Sequence, residues 1–112
     1  MNVKFINPPT GYVAQFAKEV KTTSSNAPFD FIQIFSNNLE EYKSELPVLK
    51  KQLKKAGIFW ISWYKKASGK KTELTEDIIR NYALETGLVD VKVCSVDKDW
   101  SGLKLVYRLK DR

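Results

Sequence analysis

The apolar and polar positions of the chain open with a short strand, Val3, Phe5 and Ile6, that stops at Asn7-Pro8-Pro9. Proline there removes the backbone donors a strand needs. From Gly11 to Val20, Tyr12, Val13, Phe16, Ala17 and Val20 recur at helical spacing and predict an amphipathic helix. After a polar, turn-rich stretch to Pro28, the run from Phe29 to Phe35 is almost continuously apolar, as suits a central strand covered on both faces. Ser36-Asn37-Asn38 is a helix entry, and Leu39, Tyr42, Leu46, Leu49 and Leu53 follow every three or four residues. Pro47 predicts a break, with Pro47 as the first residue of a second helical segment ending near Gly57.

A third buried strand, Ile58 to Trp63, precedes a helix capped by Thr75 and stopped by Gly87, with Ile78, Ile79, Tyr82 and Ala83 as its expected buried face. Glu76 and Asp77 in its first turn favour the positive helix end. The final pattern is of another kind. Val89, Val91 and Val93 alternate, then Leu103, Leu105, Tyr107 and Leu109 alternate across the turn residues 97–102, which predicts an antiparallel hairpin. Strands separated by helices, then a terminal hairpin, give a three-layer α/β fold with a mostly parallel sheet, and 112 residues allow one domain, 1–112, with a single core.

Composition narrows the chemistry. Hydrophobic residues make up 43% and aromatics 12%, which suits a packed globule. No apolar run approaches the roughly 18 to 20 residues of a membrane span, and MNVKFINPP lacks signal-peptide anatomy, so a soluble cytoplasmic protein without membrane contact is expected. Histidine is absent, which excludes Ser-His-Asp and Cys-His machinery and removes the commonest metal ligand. The single Cys94 excludes an internal disulfide and a cysteine zinc site, and is expected to be a buried, inert thiol.

The net charge of +6 is local. Residues 1–45 hold four lysines against five acids, and residues 73–112 hold seven basic residues against eight acids, so each flank is −1. The stretch 46–72 holds eight lysines, Lys50, Lys51, Lys54, Lys55, Lys65, Lys66, Lys70 and Lys71, and no acid. The first four are expected on the polar face of a helix. Lysines interleaved with Trp60, Trp63 and Tyr64 also fit nucleic acid, through phosphate contact and base stacking along 50–71.

In open parallel sheets ligands collect outside the carboxyl ends of the strands. The loops there are Asn7 to Gly11, Ser36 to Asn38 and Tyr64 to Thr72, joined by the turn 97–102 if the penultimate strand runs parallel to the others. An anionic small molecule or protein segment at this basic rim would meet Lys65, Lys66, Ser68, Lys70 and Asn7, with Trp100 as a lid or packing partner. The alternative is that these lysines are solvated or paired with Asp97 and Asp99. Familiar catalytic patterns fail. Gly69-Lys70-Lys71-Thr72 lacks both the upstream glycine and the hydroxyl residue directly after the lysine that a P-loop requires. Ser62-Trp63-Tyr64-Lys65 fits S-x-x-K without its companion motifs, and Asn7-Pro8-Pro9 stands two residues too far from Tyr12 for the N-P-P-Y of amino-group methyltransferases.

The segments Trp60 to Gly69, Leu74 to Ile78, Gly87 to Cys94 and Asp99 to Leu103 together resemble a family of small bacterial proteins known as domain of unknown function three-zero-five-two. The likeness is tight over about residues 57–109 and loose before them, and it transfers no established activity. The order of elements also resembles the C-terminal half of class I methyltransferases, which implies a Rossmann-like, methyltransferase-like scaffold. Asn7 to Gly11 is not the G-x-G-x-G turn of their cofactor site. The expectation is a non-catalytic binding domain of unknown cofactor, with a degenerate S-adenosylmethionine-dependent enzyme as its rival.

Overall fold

The computed structural model of the chain describes residues 2–12 and 27–112. Its elements are β1 (Val3–Ile6), β2 (Phe29–Phe35), α1 (Leu39–Gln52), β3 (Leu53–Tyr64), α2 (Glu76–Thr86), β4 (Leu88–Ser95) and β5 (Trp100–Tyr107), with 3-10 turns at Lys66–Ser68 and Leu109–Asp111. The strands form one sheet in the order β1-β2-β3-β5-β4. β1, β2 and β3 are parallel, and β5 is antiparallel to both β3 and β4. β4 therefore runs with β3, so the condition under which the turn 97–102 joins the carboxyl rim is met. The helix expected over Gly11 to Val20 lies, from residue 13 onward, outside the described residues, and with it the third layer.

Cross-strand partners share a face. Ile32, Phe59 and Leu105 form one such row and Ile34, Ile61 and Leu103 the next, and all six are buried. Tyr42, Leu46 and Leu49 of α1 and Ile79 and Ala83 of α2 complete this core. Burying each large aliphatic side chain contributes about 1.5–3 kcal/mol. The Tyr42 hydroxyl donates to the Ile79 carbonyl at 2.8 Å and ties the two helices together.

α1 does not break at Pro47 but runs unbroken to Gln52. A proline there leaves the carbonyl four residues earlier without its helical donor. The Tyr82 hydroxyl of α2 donates to that carbonyl, of Lys43, at 2.8 Å. The helix then stops short of Gly57, so Lys54 and Lys55 belong to an irregular start of β3 rather than to a helix face. The register passes from Phe29 opposite Leu53 to Phe31 opposite Ile58. Gly57 serves close approach, since a Cβ there would stand 2.7 Å from Leu53 Cδ1.

Ile78, expected in the core, is 37% exposed, because α2 turns only Ile79 and Ala83 fully inward. Cys94 is exposed rather than buried. It sits on the edge strand β4 opposite Gly102, in a stretch, Val91 to Ser95, that is exposed throughout. Trp60 is likewise half-buried, on the face away from α1 and α2, against Gly102.

Candidate functional site at the carboxyl rim

Four loops meet at the carboxyl ends of β1, β2 and β3. The first leaves β1 through Asn7, which is exposed and takes φ +55, and folds back so that the Tyr12 N–H donates to the Pro9 carbonyl at 3.0 Å. The Tyr12 hydroxyl donates to Gln33 Oε1 at 2.9 Å, and Gln33 Nε2 donates to Ser62 Oγ at 3.0 Å. Gln33 and Ser62 are buried. This polar chain pins the loop onto β2 and β3, and burial raises the Tyr12 phenol above its ordinary value, which keeps it a proton donor.

The second loop is held by its own polar side chains. Asn38 Oδ1 caps α1 by accepting from the Glu41 N–H at 2.8 Å. Asn37 Oδ1 accepts from the Tyr64 N–H at 2.8 Å, and the Asn37 carbonyl accepts from the Glu73 N–H at 2.9 Å. Glu73 Oε1 in return accepts from the Leu39 N–H at 2.9 Å. The loop after β2 and the loop after β3 are thereby fastened to each other.

The third loop contains the lysines. The turn Lys66–Ser68 closes on Gly69 at φ 73. Ser68 Oγ donates to the Lys65 carbonyl at 2.7 Å and accepts from the Lys70 N–H at 3.1 Å. Lys65 uses both its groups on the hairpin: its N–H donates to the Asp99 carbonyl at 2.8 Å and its ammonium to Ser95 Oγ. Lys70 Nζ pairs with Asp99 Oδ2 at 3.3 Å and stands 5.2 Å from the Tyr64 ring centroid. Lys66 is exposed and has no ion pair among the described residues.

The hairpin supplies the fourth side. Asp97 Oδ1 accepts from the N–H groups of Asp99 and Trp100 at 2.8 and 2.9 Å. The Trp100 ring then packs between Tyr64, at 4.5 Å, and Phe35, at 5.1 Å and nearly perpendicular. Phe35 meets Tyr12 at 4.8 Å. A row of aromatic rings, Tyr12, Phe35, Trp100 and Tyr64, thus floors the rim.

Of the six residues expected at the site, the structure brings Lys65, Ser68, Lys70 and Trp100 into one network. Lys66 lies beside them on the turn, and Asn7 stands on the neighbouring loop. Tyr12, Gln33, Asn37, Ser62 and Tyr64 also take part in the rim and are not among those six. Gln33 and Ser62 were legible as lone polar residues inside the apolar runs Phe29 to Phe35 and Ile58 to Trp63, where a buried polar side chain requires a partner. Chemically the rim offers ammonium groups, amides and aromatic faces. Among the described residues no group of three or more His, Cys, Asp or Glu side chains could hold a metal, and no helix is long and apolar enough to cross a membrane.

No family model and no curated protein matches the chain. Solved structures do match in fold. An S-adenosylmethionine-dependent methyltransferase from Clostridium acetobutylicum ATCC 824 is 9% identical, with a TM-score of 0.63 over 95% of this chain and 83% of that one. A ribosomal protein L11 methylase from Lactobacillus delbrueckii subsp. bulgaricus is 14% identical, with a TM-score of 0.64 over 96% and 69%. The magnesium protoporphyrin IX methyltransferase of Synechocystis PCC 6803, with bound SAH, is 15% identical, with a TM-score of 0.59 over 88% of this chain and 58% of that one. At such identities the likeness is one of fold: the chain has the Rossmann-like α/β scaffold found in methyltransferases.

Proposed function

We propose that the chain is a binding domain without catalysis of its own, which receives an anionic small molecule or acidic protein segment at the lysine rim of a methyltransferase-like scaffold. The observation that carries this reading is the loop 64–72. It gathers Lys65, Lys66, Lys70 and Lys71 at the end of the sheet where this architecture places ligands, with Asp99 as the one carboxylate paired to them among the described residues. Lys65, Lys66 and Lys70 make the anion contacts, Asn7 borders them and Trp100 forms the wall. Ser68 shapes the turn, since its hydroxyl already bridges Lys65 and Lys70. No family model matches the chain, so the resemblance of residues 57–109 to a small bacterial family of unknown function adds nothing to this reading.

A ligand that binds only the native state stabilises it, by about 2.7 kcal/mol at a hundredfold its Kd. A thermal-shift screen with phosphates, nucleotides and carboxylates is expected to give a rise in Tm that Lys65→Ala with Lys66→Ala diminishes. No rise with any of them, or a rise undiminished by the double substitution, overturns the proposal.

The fold likeness favours a second reading, a degenerate S-adenosylmethionine-dependent methyltransferase. Against it, the loop after β1 has no G-x-G-x-G, and Tyr12 folds back on Gln33 beside that strand end. Saturable heat on titration with S-adenosylmethionine would favour this enzyme over the binding domain. Nucleic acid along a single 50–71 tract fits the geometry less well. The regular part of β3, Ile58 to Tyr64, puts at least about 20 Å between the two lysine groups.

A further inference from the structure

At the opposite end of β3, where α1 and α2 both terminate, a hollow of about 550 Å³ is lined by Pro47, Lys50, Lys51, Leu53, Lys55, Thr86 and Tyr107. That volume lies within the range of small-molecule sites, about 300–1,000 Å³. Pro47, Leu53 and the Tyr107 ring are its apolar lining, and its charged residues are all lysines.

Two of these ammonium groups converge. Lys55 Nζ lies 4.4 Å and Lys50 Nζ 5.4 Å from the centroid of the same Tyr107 ring. They stand within about 10 Å of each other, close to one Debye length, so solvent ions screen their repulsion only in part. No ion pair engages Lys50, Lys51 or Lys55 among the described residues. Asp111, near enough to Tyr107 to influence its phenol, is not part of the lining.

Lys50 is fixed in place. Its ammonium donates to the Thr86 carbonyl at the end of α2, and Gly87 leaves it room, since a Cβ at Gly87 would stand 2.7 Å from Lys50 Nζ. Capping α2 accounts for Lys50 by itself. It does not account for Lys55, which leans over the same ring, or for Lys51 on the lip. The Lys50 carbonyl, which would otherwise repel an anion, is covered by the Tyr107 hydroxyl and the Leu53 N–H.

We propose that this hollow is a second anion site, distinct from the rim, which takes a small polyvalent phosphate compound: its charges meet Lys50, Lys51 and Lys55, and its apolar part rests on Pro47 and Leu53. The phosphate class follows from converging ammonium groups, which act as point charges and suit a compact, multiply charged anion.

Inorganic pyrophosphate at low salt is the probe. Calorimetry on the protein carrying Lys65→Ala with Lys66→Ala, which lacks the rim contacts, should give saturable binding that is weakened tenfold or more by adding Lys51→Glu with Lys55→Glu. Amide shifts of the unsubstituted protein should change at Lys51, Leu53, Lys55, Thr86 and Tyr107, a readout that does not depend on how well a variant folds. Absence of binding, binding indifferent to the Lys51 and Lys55 substitutions, or shifts confined to residues 64–72 overturns the second site.

Discussion

At the carboxyl end of β3, Lys65 and Lys70 reach Ser95 and Asp99 of the neighbouring hairpin and help to hold two loops together. At the amino end, Lys50 and Lys55 lie over one aromatic ring, Lys50 also reaches a helix-end carbonyl and Lys51 lines the same hollow, with no carboxylate in ion-pair contact among the described residues. In sequence the two groups form one lysine-rich stretch. The sheet carries them to opposite ends, where the same side chain either fastens loops or stands as surplus charge. A cluster of like charges is therefore better judged by its partners than by its density.

The largest expected effect falls at the amino end. Gly87 sits at φ +95 beside Lys50 Nζ, so Gly87→Ala introduces backbone strain and displaces the ammonium. A loss of about 2 kcal/mol in urea unfolding is expected, together with weaker pyrophosphate binding. Unchanged binding would show that the fixed position of Lys50 is irrelevant there.

The counterpart at the carboxyl end is Gln33→Leu, which leaves the buried Ser62 hydroxyl without Gln33 and releases Tyr12. This should cost about 1–2 kcal/mol, and adding Ser62→Ala should restore much of it, because removing both partners is milder than stranding one. A double variant no more stable than the single would place the cost in packing rather than in the polar chain.

Smaller effects separate the ion pairs at the two ends. Asp30 accepts from the Asn2 N–H at 2.7 Å and pairs with Lys54 at 3.0 Å. Chiefly that N–H, and then Lys54, hold its carboxyl below the ordinary carboxylate range. A depressed folded pKa contributes stability that is present above the unfolded value, near pH 4, and is lost as pH falls through the folded value. Asp30→Asn should therefore flatten the decline in urea midpoint below about pH 4 and leave the slope above pH 5 as it was. Asp99→Asn is expected to change stability by no more than about 0.5 kcal/mol, since its pair with Lys70 is partly exposed. A larger loss would mean that the rim depends on this charge.

The strands were legible in the sequence because their apolar runs are bounded by prolines, asparagines and glycines, and α2 because Thr75 and Gly87 mark both of its ends. The far part of α1 was not, since its continuity through Pro47 depends on a hydroxyl contributed by Tyr82, thirty-nine residues after the Lys43 carbonyl that it reaches. The same misreading moved Lys54 and Lys55 to the wrong element and hid the hollow at the amino end. At the rim, the loop and its lysines could be located from strand order alone. The polar chain from Tyr12 to Ser62 could not, because it joins three segments distant in sequence, although Gln33 within an apolar strand signalled that some partner was required.

Pro47 and Tyr82 also bear on the order of assembly. Cut from the protein, the peptide containing α1 lacks the donor that bridges its proline and should be helical mainly before Pro47. Its last turn then forms together with the docking of α2, and the Leu49 to Gln52 amides, slow to exchange only while both helices are seated, become a local clock for that event.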